Sequence, residues 1–368
     1  MRILYDHQVF SLQNAGGASR YFYEIMRFMS TVPDVQTELL MGISGTVYPF
    51  RSLPPAKARV TQLRELLPPG MLRYVTNEIL GNVAALVRGT MDIYHLTLYM
   101  RMPMVRARRV IATHHDCTHE RFPQLIPDAK KVFWARKRLF PKMDAIICVS
   151  ESCRRDLVDF YGVDPAKTRV IYHGVSLLTR SPEDAKRLRQ RVRREYLLYV
   201  GMRPSFKNFN GLLRAFYETG LKDSMDLLVL GGGPLTPDEK DLIGKWKMSA
   251  SVIIVPRVSD GLLAEAYAGA TLFVYPSWSE GFGFPPLEAM MLGCPVLATN
   301  RSSVPEICHD APFYFDPGDQ ESFNSALLRA VHNDDERKQA VARGRLVAAQ
   351  YNWEKCGDQT LALYRECQ

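Results

Sequence analysis

Short apolar runs of strand length alternate along this chain with longer segments whose apolar residues recur at helical spacing. Strands buried on both faces read as continuous Val, Ile and Leu runs, and their alternation with amphipathic helices marks βαβ units around a parallel sheet. In the first half the pattern predicts strands over 2–5, 37–41, 93–95, 110–114, 145–149 and 169–172. A second series is predicted over 196–200, 226–230, 251–255, 272–275, 295–298 and 312–315. Two sets of six predict an α/β chain of two doubly wound, Rossmann-like domains.

Between the sets, 177–195 is rich in Arg, Lys, Asp and Glu, holds one Pro and has no strand pattern, which makes it the expected boundary. The expected division is an N-terminal domain over 1–176, a C-terminal domain over 177–350 and a closing helix over 351–368. That helix has Trp353, Leu361, Leu363 and Tyr364 as its apolar positions, and crossing back to the N-terminal domain is one placement for it.

A chain of 368 residues is past the size at which one core stops growing, and 46% hydrophobic with 23% charged residues is an ordinary globular composition. The longest apolar runs, such as 227–233 and 145–149, fall far short of the roughly 20 residues that span a bilayer. The opening Met-Arg-Ile-Leu-Tyr-Asp reads as a strand rather than a signal peptide, so a cytoplasmic protein is expected. The seven cysteines are scattered without a Cys-x-x-Cys pair, which predicts reduced thiols and no structural zinc. A net charge of +8 implies an anionic partner: nucleic acid, acidic lipid or a phosphorylated small molecule. No zinc-finger, RNA-recognition or helix-turn-helix signature accompanies it, which argues against nucleic acid. No Gly-x-Gly-x-x-Gly opens the first βα unit, which argues against a dinucleotide-dependent dehydrogenase.

The richest stretch is Ser277-Trp-Ser-Glu280-Gly281-Phe282-Gly283-Phe284-Pro-Pro-Leu-Glu288, a strand end, a glycine turn and a helix start. Backbone amides there suit anions and hydroxyls, and carboxylates accept paired hydrogen bonds from the vicinal hydroxyls of a hexose or ribose. Alone, Glu280 would be a helix-entry charge and Glu288 a solvated face; the glycines between them and the two prolines favour a ligand site. In Gly201-Met-Arg203-Pro-Ser-Phe-Lys207-Asn208, again after a strand, two cations suit a diphosphate leaving group and can replace a magnesium ion. Gly16 and Gly17 precede a helix whose N-terminus favours phosphate, although such glycines often serve packing. Gly231-Gly-Gly-Pro234 is explained by a turn alone. His114, His115 and Asp116 end a strand on the ligand-binding edge, and adjacent histidines are a poor zinc pair. The basic stretch 129–142, with Phe133 and Trp134 interleaved, is either a core-facing helix or a rest for an anionic membrane.

Together these residues resemble glycosyltransferase family 4, the retaining enzymes of GT-B fold, whose two Rossmann-like domains face across a cleft. The marks are the Glu-x7-Glu pair Glu280 and Glu288, the segment Gly201–Asn208 and the glycine loop, and the resemblance covers nearly the whole chain. It implies that Arg203 and Lys207 hold the donor pyrophosphate, Glu288 the ribose, and Glu280 with Gly281, Phe282, Gly283 and Phe284 the donor sugar. It implies that His115 and Asp116 lie near the reaction centre, and that Arg257 and Val258 sit in a loop at the nucleobase. The expected activity is metal-independent hexosyl transfer with no cofactor, with mannose from GDP-mannose ahead of a UDP-sugar, onto a glycan or lipid-linked acceptor of bacterial surface polysaccharide. A nucleotide sugar epimerase or a phosphorylase of the same fold is the rival. Peripheral contact with an anionic membrane is expected, and nucleic acid is not.

Overall fold

The structure, a computed structural model, describes residues 1–63, 67–86, 89–99 and 104–368, which form two compact units, 1–174 with 352–368 and 175–351. The first is built on a parallel sheet of β1 (Arg2–Tyr5), β2 (Gln36–Ile43), β3 (Ala58–Leu63), β4 (Met91–Leu96), β5 (Ala107–His114), β6 (Ala145–Cys148) and β7 (Thr168–Val170), in the order β3-β2-β1-β4-β5-β6-β7. Seven strands stand where six were predicted. The additional one, β3, is an edge strand with only Ala58 buried, so it never presents the continuous apolar run by which its neighbours announce themselves.

The second unit has β8 (Tyr196–Val200), β9 (Asp226–Leu230), β10 (Val252–Val255), β11 (Leu272–Tyr275), β12 (Val296–Thr299) and β13 (Phe313–Phe315), all parallel, in the order β10-β9-β8-β11-β12-β13. Leu197, Leu227, Val229, Leu272, Val274 and Leu297 pack one face of this sheet against Leu212 and Phe216 of the helix Phe209–Glu218. In both units the strand order reverses beside the first strand, at β1/β4 and at β8/β11. Loops leaving the carboxyl ends of strands diverge there and leave a crevice, where open α/β sheets take their ligands.

The charged stretch 177–195 contains the helix Pro182–Arg191, capped by the Ser181 hydroxyl accepting from the Asp184 amide. It packs on the helix Asp260–Gly269, and Arg180 pairs with Glu265 at 2.8 Å, so the segment expected as a boundary is part of the second unit. The helix Trp353–Glu366 lies on the helix Gly17–Met29 of the first unit, where a Cβ at Gly357 would run into the Phe28 ring. Trp353, Leu361, Leu363 and Tyr364 are buried. All seven cysteines are free thiols.

Candidate active site

In the second unit, β8 runs into Gly201, a turn at Ser205–Lys207, and Asn208, which takes a left-handed conformation (φ 54°) to launch the helix Phe209–Glu218. The Lys207 ammonium lies 2.6 and 2.7 Å from the two carboxylate oxygens of Glu280, which follows β11. The Trp278 amide donates to the Phe206 carbonyl at 2.8 Å, stapling the two loops across the β8/β11 crevice. The rings of Phe206 and Tyr275 stand 5.7 and 5.8 Å from the ammonium, a setting in which a cation is attracted to ring faces. Burial, and then the nearby Glu280 charge, push the Tyr275 phenol well above its ordinary value.

Glu280 is braced from behind by two serines that sequence reasoning missed. Ser302 accepts from the Glu280 amide at 3.3 Å and donates to its carbonyl at 2.7 Å; Ser303 donates to the same carbonyl at 2.9 Å. Ser302 does this from a left-handed backbone, φ 58°, which a non-glycine residue adopts only at a cost. Their one advance signal was position, just beyond the predicted strand over 295–298 on the ligand-binding edge.

Arg203 is held differently from Lys207. Its side chain is 3% exposed and donates to Glu239 (2.9 Å) and to the carbonyls of Gly231 (3.1 Å), Gly233 (3.2 Å) and Pro234 (2.8 Å). Glu239 in turn accepts from the Thr236 amide at 2.8 Å, within the capping box of the helix Pro237–Lys245. The glycine run that a turn seemed to explain is therefore the Arg203 cradle: Gly232 has φ +73°, and a Cβ on it would stand 2.6 Å from both Arg203 Nη1 and the Gly201 carbonyl.

Glu288 is buried within the helix Phe284–Met291, which excludes the solvated-face reading; the Tyr267 phenol beside it is raised well above its ordinary value by burial and then by the Glu288 charge. Gly283, at φ 104°, starts that helix, with Pro285 and Pro286 in its first turn. Gly281, Phe282 and Gly283 are buried and Phe284 half-buried. Arg257 is exposed and Val258 half-buried, between β10 and the helix Asp260–Gly269.

In the first unit, Gly16 and Gly17 open the helix Gly17–Met29 beyond β1; Tyr48 and Ser19 hydroxyls both donate to the Gly16 carbonyl at 3.1 Å. After β5 the two histidines separate cleanly. His114 is fully buried, with Nε2 3.1 Å from Cys117 Sγ and its ring against Phe140. His115 is half-buried among Tyr21, Phe22 and His173, at ring distances of 5.7, 6.2 and 5.8 Å, and its Nε2 has no hydrogen-bond partner among the described residues. Burial lowers its pKa to about 4, so the ring is neutral near pH 7.

Asp116 is held at about 2 against the cost of its burial, chiefly by the Arg136 guanidinium and by the Thr118 amide, 2.9 Å from Oδ1. Arg136 lies in the basic stretch, on the helix Ala129–Leu139, yet is buried; it donates to the Asp116 carbonyl at 2.9 Å and to both Glu120 oxygens at 3.0 Å. The stretch thus divides: Arg136, Leu139 and Phe140 face inward, while Lys130, Lys131, Lys137, Arg138 and Trp134 are exposed.

The structure therefore joins Lys207 with Glu280, Asp116 with Arg136, and His115 with Tyr21 and His173, while Arg203 is paired with Glu239. Lys207, Arg203, Glu280, His115, Asp116 and His173 stand on loops or turns beyond the carboxyl ends of strands, while Tyr21, Arg136 and Glu239 come from helices.

Comparison with known proteins bears on the family and the fold. The model described as Glycosyltransferase Family 4 matches residues 15–178, and that described as Glycosyl transferases group 1 matches 180–347. O-antigen chain mannosyltransferase B of Escherichia coli is 31% identical over 71% of this chain and 71% of its own length. D-inositol 3-phosphate glycosyltransferase of Nocardioides is 26% identical over 81% of this chain and 72% of its own. Among solved structures, sucrose-phosphate synthase from Thermosynechococcus elongatus superposes with a TM-score of 0.76 at 19% identity, covering 99% of this chain and 98% of that one, a likeness of fold. With a glycosyltransferase relative above 30% identity across most of both chains, and both halves matched by glycosyltransferase models, the chain belongs to the family 4 glycosyltransferases of GT-B fold.

Proposed function

We propose that this enzyme transfers mannose from GDP-mannose, with retention of anomeric configuration and without a metal ion, to a glycan or lipid-linked saccharide in the assembly of a bacterial surface polysaccharide. The observation that carries the reading is the Lys207–Glu280 pair, set across the β8/β11 crevice and braced by Ser302. An ammonium has three donors. Two lie on Glu280, and the third is available to a phosphate oxygen.

As the bond from the anomeric carbon to the leaving phosphate breaks, negative charge gathers on that phosphate. Lys207 and the start of the helix Phe284–Met291 are where it would be stabilised. Arg203 fixes the glycine loop beside them, and the buried Glu288 is the acceptor suited to ribose hydroxyls. A carboxylate already paired with an ammonium is a poor nucleophile, so Glu280 orients the sugar and retention arises by attack on the face from which the phosphate departs. This differs from the two-carboxylate chemistry of retaining glycosidases. In the first unit, His115 is neutral with a buried Nε2 that has no hydrogen-bond partner among the described residues, and so suits pairing with an acceptor or sugar hydroxyl. The O-antigen relative supports mannose; the inositol-phosphate relative shares the family with an acceptor of another kind, which leaves the acceptor class to the first unit.

The test is a thermal-shift panel of GDP, UDP, ADP and their sugar conjugates with EDTA present. A ligand that binds the native state raises the melting temperature by mass action. Stabilisation by GDP and GDP-mannose alone is expected; a response confined to UDP compounds would overturn the donor assignment. Turnover that EDTA abolishes and manganese or magnesium restores would overturn metal independence, and the anomeric configuration of the product read by NMR checks retention.

A further inference from the structure

The charged stretch 177–195 has a part in the fold but none in the transferase site. It carries seven Lys and Arg against three Asp and Glu, within a unit that over 175–351 holds 21 of each. Positive charge is therefore concentrated locally in an otherwise balanced body, where it repels itself until an anion joins it. Much of that charge lines one cavity of about 320 Å³, between the end of the helix Pro182–Arg191, the first residue of β8 and the end of the helix Asp260–Gly269. Its walls carry Arg180, Arg189, Arg193 and Arg194, with Glu265 as the one carboxylate. Leu188, Val192 and Tyr196 supply apolar surface, the Tyr196 hydroxyl being turned to the Ala266 carbonyl at 2.8 Å. The volume is at the lower end of the roughly 300–1,000 Å³ that small-molecule sites occupy.

The four arginines are of two kinds. Arg180 donates to the two Glu265 oxygens at 3.1 and 2.8 Å, and the Ser181 amide adds a third hydrogen bond to that carboxylate at 3.1 Å. Arg194 donates to Asp226 Oδ1 at 3.0 and 2.8 Å and to the Asp223 carbonyl at 2.9 Å, while the Arg193 amide donates to Asp226 Oδ2 at 3.2 Å. Both carboxylates are thereby answered, and these two arginines are held rigid. The guanidinium groups of Arg189 and Arg193 are exposed and make no hydrogen bond or ion pair among the described residues. An arginine in the last turn of a helix complements the helix dipole, which accounts for Arg189 alone. Arg193 lies beyond that helix, and nothing in the fold uses its charge.

We propose that this cavity binds a small phosphorylated molecule, with Arg189 and Arg193 on the phosphate and Leu188, Val192 and Tyr196 against its carbon skeleton. A guanidinium fork fits two phosphate oxygens, and two forks answer a dianion. The site is separate from the donor crevice. It opens at the amino end of β8, whereas Lys207 follows the carboxyl end, and the five residues of that strand put roughly 17 Å between them.

The test is isothermal titration calorimetry of the full chain, in a chloride buffer of low ionic strength, with mannose 6-phosphate, inorganic phosphate and mannose. Mannose 6-phosphate is expected to bind, inorganic phosphate to bind more weakly because it leaves the apolar wall bare, and mannose not to bind. Arg189→Gln with Arg193→Gln should keep a melting curve near wild type, since both side chains are exposed, and weaken mannose 6-phosphate roughly tenfold or more. Lys186→Gln with Arg187→Gln removes the same charge from the same segment outside the cavity, and should weaken it by about twofold or less. Equal losses in the two double variants would overturn the proposal by giving the ion to the diffuse field of the unit. Unchanged affinity in the Arg189 and Arg193 variant, or a wild type that binds neither phosphate compound, would overturn it as well. Lys207→Ala should bind mannose 6-phosphate as the wild type does; loss there would place the ligand in the donor crevice instead. Inorganic phosphate bound as tightly as the sugar phosphate would assign the cavity to the free ion.

Discussion

Ser302 offers a perturbation in which stability and catalysis are expected to part company. Its hydroxyl serves the Glu280 amide and carbonyl and sits 3.3 Å from the Ser279 hydroxyl, while its backbone holds φ 58°. Ser302→Ala keeps the left-handed strain, on the order of 1–2 kcal/mol for a residue with a Cβ, and removes hydrogen bonds with a net worth of about 1 kcal/mol each. Ser302→Gly removes the same bonds but relieves the strain, less the roughly 0.5–1 kcal/mol that glycine's freedom in the unfolded chain costs. The alanine variant should therefore be destabilised by about 2 kcal/mol and the glycine variant by less, about 1 kcal/mol. For a unit of this size that separates their melting temperatures by roughly 2–4 °C. Both lose the brace behind Glu280, and a carboxylate displaced by a fraction of an ångström no longer holds Lys207 in place, so kcat should fall roughly tenfold or more in both. Calorimetry and initial rates at saturating donor are the assays. Wild-type kcat in Ser302→Gly would refute the brace, and equal melting temperatures in the two variants would refute the strain.

Lys207→Ala should abolish turnover while costing only about 1 kcal/mol of stability, because the ion pair is partly exposed; wild-type rates with saturable donor kinetics would dismiss the site. Glu288→Ala should destabilise by about 1–3 kcal/mol as well as lose donor affinity, since it empties the space of a buried side chain, and Glu288→Gln, which fills that space, separates the two effects in a donor titration. Gly232→Ala should cost about 2 kcal/mol or more, because its Cβ meets Arg203 and the Gly201 carbonyl at a left-handed position; an unchanged melting curve would mean the loop is not the Arg203 cradle. The buried His95 and the half-buried His115, lowered to about 3 and about 4, bind fewer protons folded than unfolded between their folded values and the ordinary 6.5. Their contribution is therefore complete above pH 6.5 and is lost as pH falls toward 4; urea unfolding at pH 7 and pH 5 should show the decline, and a flat profile would contradict it.

The parts of this molecule that the chain announces are those whose physics is local. Buried parallel strands such as Tyr196–Val200 and Asp226–Leu230 are near-continuous apolar runs, and both were predicted to the residue. Edge strand β3 is half-solvated and was missed, and the helix Pro182–Arg191, with Leu188 as its one buried hydrophobic residue, hid behind its charges. The site divides in the same way. Lys207 and Glu280 were legible because glycines and a strand end surround each. What is brought to them from elsewhere was not: Ser302 and Ser303 from beyond β12, Glu239 behind Arg203, Arg136 behind Asp116. Those partnerships are set by the order of strands across each sheet, which no local spacing records. Arg136 is the sharpest case, since a basic aromatic stretch conceals one inward-facing arginine among outward lysines.

The helix Trp353–Glu366 completes the first unit, although 177 residues of the second unit intervene between Gly174 and Asn352. Its Tyr364 hydroxyl lies 2.5 Å from His95 and 3.2 Å from Tyr5, deep beneath the sheet. The two strands of chain that link the units also run together, with the Val175 amide donating to the Tyr351 carbonyl at 3.1 Å. The second unit is, in construction, an insertion near the end of the first. On the ribosome, residues 175–351 emerge as a continuous segment and can close their own core at once. The first unit, although synthesised earlier, waits with Tyr5, His95 and Phe28 uncovered until translation reaches residue 366, so a stalled or truncated chain leaves the older unit, not the younger one, exposed to chaperones and proteases.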